Sequence, residues 1–186
     1  MIIQVRGTSG SGKSTLVKNV LAVAHRRTPF KEEGRRQPIG YLASYEVGPT
    51  IAIPGHYETA CGGCDTVPSM DKVFDLVVKS AAMPGVTHVL FEGLLASEEV
   101  RRTVELHKAF PGQLRVLQLT TEVEDCLASI RARREARGDA RPLKEGNTRN
   151  RVAVIDRACV RLREAGVAVI RADRDDAAAH LMTWLT

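Results

Sequence analysis

The stretch GTSGSGKS at positions 7–14 matches the pattern G-x-x-x-x-G-K-[ST] at every fixed position. A short β-rich run, residues 2–5, precedes it, and a segment with helical character, residues 15–25, follows it. A strand, a glycine-rich turn and a helix in this order form the context that a phosphate-binding loop requires. The sequence therefore predicts a nucleotide-binding set made of Gly7, Thr8, Ser9, Gly10, Ser11, Gly12, Lys13, Ser14 and Thr15.

The chemistry of this loop follows from its residue types. Glycines let the backbone curl so that successive N–H groups point at an anion, and the start of the helix adds free N–H groups and the positive end of its dipole. Lys13 is expected to reach the β- and γ-phosphates of a nucleoside triphosphate, and the Ser14 hydroxyl is expected to ligate Mg²⁺. ATP and Mg²⁺ are therefore the predicted cofactors.

Length and composition restrict the class of protein. A chain of 186 residues is large enough for one well-cored domain and too short for two of typical size, so we expect a single domain over residues 1–186. No apolar run approaches the roughly 20 residues that a membrane-spanning helix needs. The first strand is predicted to begin at residue 1, so we expect no secretory signal. The four cysteines are interpreted as reduced thiols, and we expect a cytoplasmic protein without a membrane partner.

The net charge of +5 is unevenly distributed. Arginines are concentrated in residues 131–163, and such a stretch attracts polyanions, either a nucleoside triphosphate, a nucleic acid backbone, or both. Aromatic residues make up only 4% of the chain, which argues against binding of single strands on a platform of stacked rings. Charge alone leaves a small phosphorylated substrate and DNA as alternatives.

Strand and helix patterns alternate along the chain, which favours a parallel sheet covered by helices on both faces. We therefore expect a P-loop NTPase fold, a three-layer α/β/α arrangement with a parallel five-stranded sheet. Residues 29–38 are predicted to be a surface connection, and residues 97–110 one helix. The strand candidates are residues 1–6, 40–43, 50–53, 86–91, 114–119 and 167–170, and the remaining helix candidates are residues 15–25, 70–82, 121–137, 148–165 and 175–185.

Glu92 follows the apolar run at residues 86–91, at the end of a predicted central strand. Ligands of open α/β sheets bind beyond the carboxyl ends of the strands. An acid at this place in a phosphate-loop protein holds Mg²⁺ directly or through water, so Ser14 and Glu92 are the predicted metal residues. A solvated glutamate at the end of a strand is the alternative.

A glycine-rich and polar loop at residues 54–68 offers two kinds of chemistry. Cys61 and Cys64 have C-x₂-C spacing, which suits zinc or redox chemistry, but no second such pair is present. A carboxylate is the more favoured reading, because transfer of a phosphoryl group to an alcohol needs a group that orients the hydroxyl and accepts its proton. Asp65 is the first candidate for that role and Glu46 the second, while His56 is a candidate substrate contact.

Arginines before a glycine hinge form the third feature. Arg134, Arg137 and Arg141 recur at helical spacing around Gly138, so they can share one face. Guanidinium groups on a movable lid, here at about residues 131–150, neutralise charge on a transferring phosphoryl group and exclude water. Arg134 and Arg137 are therefore predicted catalytic residues, together with Lys13 and Asp65. A solvated basic helix end is the alternative.

These motifs together resemble those of the small P-loop kinases of the nucleoside and nucleotide kinase superfamily. The stretch from Arg134 to Asp139 is similar to the lid of small-molecule hydroxyl kinases such as chloramphenicol phosphotransferase. The segment from His56 to Thr66 and the short chain resemble phage-encoded kinases that act on 5-hydroxymethyluridine in DNA.

The resemblance implies an ATP- and Mg²⁺-dependent kinase whose acceptor is a hydroxymethylated pyrimidine in DNA. It also implies the cytoplasm of a bacterial host as the location. The acceptor base of a duplex would have to leave the base stack at least in part. A kinase for a free nucleoside, a nucleoside monophosphate or another small alcohol is the alternative. A GTP-dependent switch protein is disfavoured, because the chain has no N-K-x-D motif.

Overall fold

The strand that precedes the glycine-rich loop lies inside a seven-stranded sheet, parallel to a neighbour on either side. The computed structural model describes residues 1–59 and 62–185. The strands are β1 (Ile2–Arg6), β2 (Arg26–Phe30), β3 (Gly40–Ser44), β4 (Thr50–Pro54), β5 (His88–Glu92), β6 (Leu114–Leu119) and β7 (Ala168–Ala172), and their order in the sheet is β2-β3-β4-β5-β1-β6-β7.

Most of the sheet is parallel, as the alternation of strands and helices predicted. The run β4-β5-β1-β6-β7 pairs in parallel, whereas β2 pairs with β3 and β3 with β4 in antiparallel fashion. The α/β class with a mostly parallel sheet is therefore confirmed. The sheet has seven strands, not the expected five, because the antiparallel pair β2–β3 extends one edge.

The strand β2 lies directly after the predicted helix at residues 15–25 and overlaps the start of the predicted surface connection at residues 29–38. Its residues are exposed, except for the half-buried Phe30, and it contains Pro29. An edge strand needs no buried face and tolerates a proline, so neither hydrophobicity nor period-two alternation marks this segment.

Both faces of the sheet are covered by helices. Alternate residues of β1 point to opposite faces, so Ile3 and Val5 belong to one apolar cluster, with α1 (Lys13–Ala22) and α7 (Arg174–Leu185), and Ile2 belongs to the other. The remaining helices are α2 (Met70–Ala81), α3 (Leu94–Glu98), α4 (Arg101–Ala109), α5 (Val123–Glu135) and α6 (Glu145–Glu164), and a short 3₁₀ turn lies at Cys64–Thr66. None of the helices over the described residues is long and apolar enough to cross a membrane.

A buried arginine accounts for the break between α3 and α4, which lies inside the segment 97–110 that the sequence predicted as one helix. Arg6, at the end of β1, is fully buried, and its guanidinium donates to the carbonyl oxygens of Ser97 and Glu99 and to the Thr103 hydroxyl. Glu99 is extended, with ψ of 125°, so the chain leaves the helical path at that residue. Burial lowers the pKa of Arg6 to about 10, which still keeps the side chain charged at neutral pH.

We predict that Arg6→Met destabilises the fold by about 3 kcal/mol, because buried carbonyl oxygens lose their donors and the methionine cannot replace them. Urea unfolding followed by circular dichroism measures the change. The matched control is Arg101→Ala, which removes an exposed arginine paired with Glu105 on α4 and is expected to leave the midpoint nearly unchanged. Equal midpoints for the two variants would contradict a structural role for Arg6.

Candidate functional site

The glycine-rich loop connects β1 to α1 and turns through two glycines with positive φ, Gly10 at 80° and Gly12 at 104°. The loop is tightly packed as well as sharply turned. A Cβ atom on Gly10 would lie 2.2 Å from the carbonyl oxygen of Cys126, and one on Gly7 would lie 2.5 Å from Ser11 Oγ. Glycine is therefore required at Gly10 by space and by backbone conformation, whereas a side chain on Gly7 would require Ser11 to move.

Lys13 is the first residue of α1 and is only 6% exposed. Its ammonium group turns back into the loop, where Nζ donates to the carbonyl oxygen of Thr8 at 3.0 Å. Burial lowers the pKa of Lys13, and the carboxylate of Glu92 is the largest of the charges that oppose this shift. A cation thus lies within the curl of the loop with an acid nearby.

Glu92 ends β5 and lies beside β1, in register with Val5. Its carboxylate is buried, and the Ser14 hydroxyl donates to Oε1 at 2.8 Å. Burial raises the pKa of Glu92, while Lys13 and the Ser14 hydrogen bond lower it. The structure therefore brings the two predicted metal residues into direct contact, next to the lysine.

Asp65 lies at the same edge of the sheet, in the 3₁₀ turn, and its side chain is exposed. Both of its carboxylate oxygens accept from the backbone N–H of Leu94, at 2.8 and 2.9 Å, at the start of α3. Glu46, the second candidate, lies in the turn between β3 and β4, at the opposite end of the sheet from the glycine-rich loop. Of the two carboxylates, only Asp65 is placed near Lys13 and Glu92.

The other candidates in residues 54–68 are dispersed. Cys61 lies outside the described residues, and Cys64 is buried, with its thiol 3.6 Å from the carbonyl oxygen of Pro54. Burial raises the pKa of Cys64, which favours a neutral thiol over a metal-binding thiolate. His56 is buried with both ring nitrogens unpartnered in the described part of the chain. No cluster of His, Cys, Asp or Glu within residues 1–59 and 62–185 could hold a metal by itself.

A cavity of about 540 Å³, which we call the loop cavity, joins these groups. Its wall includes Gly10, Gly12, Lys13, Ser14, Thr15, Asp65 and Glu92. Two arginines also line it, Arg133 from α5 and Arg174 from α7. The loop cavity therefore combines a basic lining with three carboxylates, those of Asp65, Glu92 and Asp175.

The predicted catalytic arginines of the lid, Arg134 and Arg137, do not line the loop cavity in this structure. Arg134 donates to the carbonyl oxygen of Arg141 at 2.9 Å, and Arg137 Nε donates to the carbonyl oxygen of Arg133 at 3.2 Å. Both residues lie at or beyond the end of α5, and Gly138 has a φ of 65° there. Arg133, the residue before Arg134 on α5, lines the loop cavity instead.

Arg174 was not among the predicted site residues. Its guanidinium donates to the backbone carbonyl oxygens of Gly10, at 2.9 Å, and Ser11, at 3.2 Å. Thr121 donates to the Ser11 carbonyl as well, at 2.8 Å. These contacts fix the backbone carbonyl groups of Gly10 and Ser11 in the glycine-rich loop. Arg174 lies two residues after the last strand. The rule that ligands bind beyond the carboxyl ends of strands could therefore have identified it from the sequence.

Comparison with known proteins finds relatives that share one description. A 5-hmdU DNA kinase of Pseudomonas phage PaMx11 is 41% identical over 178 residues, which cover 95% of this chain and 92% of that protein. A 5-hmdU DNA kinase of Pseudomonas phage M6 is 30% identical over an alignment that covers 89% of this chain and 85% of that protein. The chain belongs to the 5-hmdU DNA kinase family.

Membership of the 5-hmdU DNA kinase family confirms the resemblance found in the sequence and the prediction of a phosphotransferase. A third member, from Delftia phage PhiW-14, is 39% identical over 66 residues, 36% of this chain and 22% of that protein. No family model matches the chain.

We predict that Glu92→Gln lowers the pKa of Lys13 further, because the Glu92 carboxylate is the strongest of the charges that favour the ammonium form. Titration of the Lys13 Cε signal by ¹³C NMR measures the shift. Glu98→Gln, which removes a carboxylate paired with Arg151, is the control and is expected to leave the titration unchanged. An identical Lys13 titration in the wild type, Glu92→Gln and Glu98→Gln would show that Lys13 and Glu92 do not interact.

Proposed function

We propose that this chain transfers the γ-phosphoryl group of ATP, with Mg²⁺, to the hydroxymethyl group of 5-hydroxymethyluridine in DNA. The observation that carries the proposal is the meeting of Lys13, Ser14 and Glu92 at one cavity, in a chain whose relatives are named 5-hmdU DNA kinases. The whole chain, residues 1–186, is one kinase domain of the P-loop NTPase fold, with residues 131–150 as its lid. The position of the glycine-rich loop between a parallel strand and a helix supports that fold.

The loop would hold the triphosphate through backbone N–H groups and Lys13. In the structure the lysine ammonium donates to the Thr8 carbonyl oxygen, which is a neutral acceptor. A charged phosphate oxygen can take the place of this carbonyl oxygen and form a stronger hydrogen bond. The low exposure of Lys13 strengthens such an interaction, because less water competes for the charge.

The donor set at Ser14 and Glu92 fits Mg²⁺. One hydroxyl and one carboxylate oxygen lie 2.8 Å apart, and Mg²⁺ is usually held by one or two protein oxygens together with substrate phosphates and water. When bound, the ion neutralises charge on the phosphates during transfer.

Asp65 is proposed to orient the acceptor hydroxyl and to take its proton. The hydroxyl oxygen forms the new bond to the γ-phosphorus, the bond to the β-phosphate oxygen breaks, and ADP leaves. The Leu94 N–H fixes the Asp65 carboxylate in place, and Asp65 lies on the wall of the loop cavity. Its exposure leaves it accessible to an acceptor that arrives from solvent.

Arginines are proposed to neutralise the transferring group from the other side of the loop cavity. Arg133 and Arg174 already line this cavity. Arg134 and Arg137 remain a prediction, and their contribution would require the segment after α5 to move toward the loop cavity. Arg141 lies in the same segment and pairs with Asp139.

We predict that, after incubation with γ-labelled ATP, label enters duplex DNA that contains 5-hydroxymethyluridine, and enters neither the unmodified duplex nor free nucleosides. Scintillation counting of the separated products measures the transfer. Lys13→Ala should lower it by roughly 10²-fold or more, since a donor to the transferred group is lost, whereas the exposed Lys108→Ala is the matched control with normal transfer. Label in free nucleosides but not in DNA would instead support a small-acceptor kinase.

We predict that Asp65→Asn lowers kcat by about 100-fold, the usual scale for loss of a general base. Asparagine keeps an oxygen that can accept from the Leu94 N–H, so the helix start is preserved and the chemical role alone is tested. Asp75→Asn on α2 and Glu46→Gln are controls expected to behave as the wild type. Full activity of Asp65→Asn together with an inactive Glu46→Gln would reverse the assignment.

A further inference from the structure

A second cavity, of about 440 Å³, lies beside the first, between α1 and the β2–β3 hairpin. Its apolar and aromatic walls are formed by Leu21, Pro29, Tyr41 and Tyr57. We call it the tyrosine cavity. Its volume is in the range of small-ligand sites, of about 300–1,000 Å³.

Two tyrosines give this cavity a surface suited to a flat ring. The chain contains only three tyrosines, and Tyr41 and Tyr57 both lie here, 7% and 6% exposed. Their ring centroids are 6.4 Å apart, with planes tilted by 58°. Rings fixed by burial lose little entropy when a base stacks on them, and aromatic side chains are the usual partners of unstacked bases.

The polar groups at the tyrosine cavity match the edge of a uracil ring. The Tyr41 hydroxyl donates to Glu58 Oε1 at 3.1 Å and so orients a carboxylate at the wall. A uracil ring presents an N3–H donor between two carbonyl acceptors, and the Glu58 carboxylate at the wall can accept from that N–H. A cytosine ring has no N3–H and would turn a lone pair toward the carboxylate.

One face of α1 connects the two cavities. Ser14, Lys18 and Leu21 are spaced four and three residues apart, so they lie along the same side of the helix. At 1.5 Å per residue, Lys18 is about 6 Å and Leu21 about 10 Å beyond Ser14 along the axis. Lys18 lines both cavities. A ring in the tyrosine cavity is thus about one to two helical turns from the residues proposed to organise the phosphate.

The backbone of two glycines lies close to both Tyr57 and Glu92. A Cβ atom on Gly62 would lie 3.3 Å from Tyr57 Cα, and one on Gly63 would lie 2.2 Å from Glu92 Oε1. The backbone of these glycines therefore separates Tyr57 from the carboxylate at the loop cavity. After burial, the nearby charge of Glu92 contributes most to the raised pKa of Tyr57, which agrees with this proximity.

Exposed positive charge borders the opening of the tyrosine cavity. Arg26 and Arg27 are exposed on β2, the edge strand of the sheet, and Arg27 lines the cavity. Cations on an exposed edge are suited to contact the phosphates of a nucleic acid that supplies the ring.

We propose that the tyrosine cavity receives a uracil-type base that has left the DNA stack, with its C5 hydroxymethyl group directed past Lys18 into the loop cavity. Glu58 accepts from the N3–H of the base, and Arg27 contacts the DNA backbone. This inference rests on the proposed function and identifies the part of the enzyme that selects the acceptor. It also explains how a chain with few aromatic residues handles DNA: it binds one base rather than a stacked strand.

The experiment compares two tryptophan variants of β2. Pro29→Trp places bulk in the tyrosine cavity, while Thr28→Trp places the same bulk on the other face of the strand, because alternate residues point to opposite faces. For DNA with 5-hydroxymethyluridine, we expect kcat/KM to fall about tenfold or more in Pro29→Trp and less than about twofold in Thr28→Trp. ATP affinity should be unchanged in both, which also shows that both variants are folded.

The outcomes separate this inference from the proposed function. No transfer to hydroxymethylated DNA by the wild type would refute the proposed function itself. Transfer by the wild type with equal kcat/KM in the two tryptophan variants would refute only the tyrosine cavity as the base site.

A second variant tests how the base edge is recognised. Glu58→Gln can donate to a cytosine N3 as well as accept from a uracil N3–H, so the preference for 5-hydroxymethyluridine over 5-hydroxymethylcytosine in DNA should fall by about tenfold or more. Competition between the two duplexes for labelled ATP measures the preference. An unchanged preference in Glu58→Gln would overturn the assignment of Glu58, whatever the effect of Pro29→Trp.

Discussion

The electrostatic attraction within the buried pair Lys13 and Glu92, which are not in direct contact, is the interaction on which the site depends. Burial shifts the pKa of the lysine down and that of the glutamate up, so for each group the loss of water outweighs the attraction of its partner. The pair is therefore a weak source of stability for the fold. Its value lies in preorganisation, because charges that already lack water can bind a phosphate and a cation without being desolvated again.

The sheet makes that pairing possible by placing β1 and β5 side by side. The glycine-rich loop and Glu92 come from separate parts of the sequence, and the parallel register brings Val5 opposite Glu92. Two arginines then support the ends of these strands in different ways. Arg6 is buried inside the protein and donates to backbone carbonyl groups at the break between α3 and α4. Arg174, on α7, donates to backbone carbonyl groups of the glycine-rich loop. The chemistry thus depends on contacts between elements that are far apart in the chain.

Much of the site could be predicted because its residues follow strand ends, a rule that needs no knowledge of packing. It located Glu92 beside the glycine-rich loop, whose sequence pattern had already identified Lys13 and Ser14, while Asp65 was chosen for its carboxylate; the catalytic roles of all four stay predictions. The arginines were harder, since neighbouring helical residues point about 100° apart, and periodicity alone did not indicate that Arg133 would face the loop cavity. The edge strand β2 and the break at Glu99 were missed, because the first has no buried face and the second depends on Arg6, about ninety residues earlier.

The edge strand also has a consequence for how copies of the chain behave toward one another. A terminal strand leaves half of its backbone groups open to pairing with a foreign strand. Pro29 lacks an N–H group, and the positive charges of Arg26 and Arg27 repel a second copy brought up edge to edge. Neutralising both arginines would therefore remove a barrier to self-association at high concentration, so the side chains proposed to approach DNA also help to keep the molecules separate.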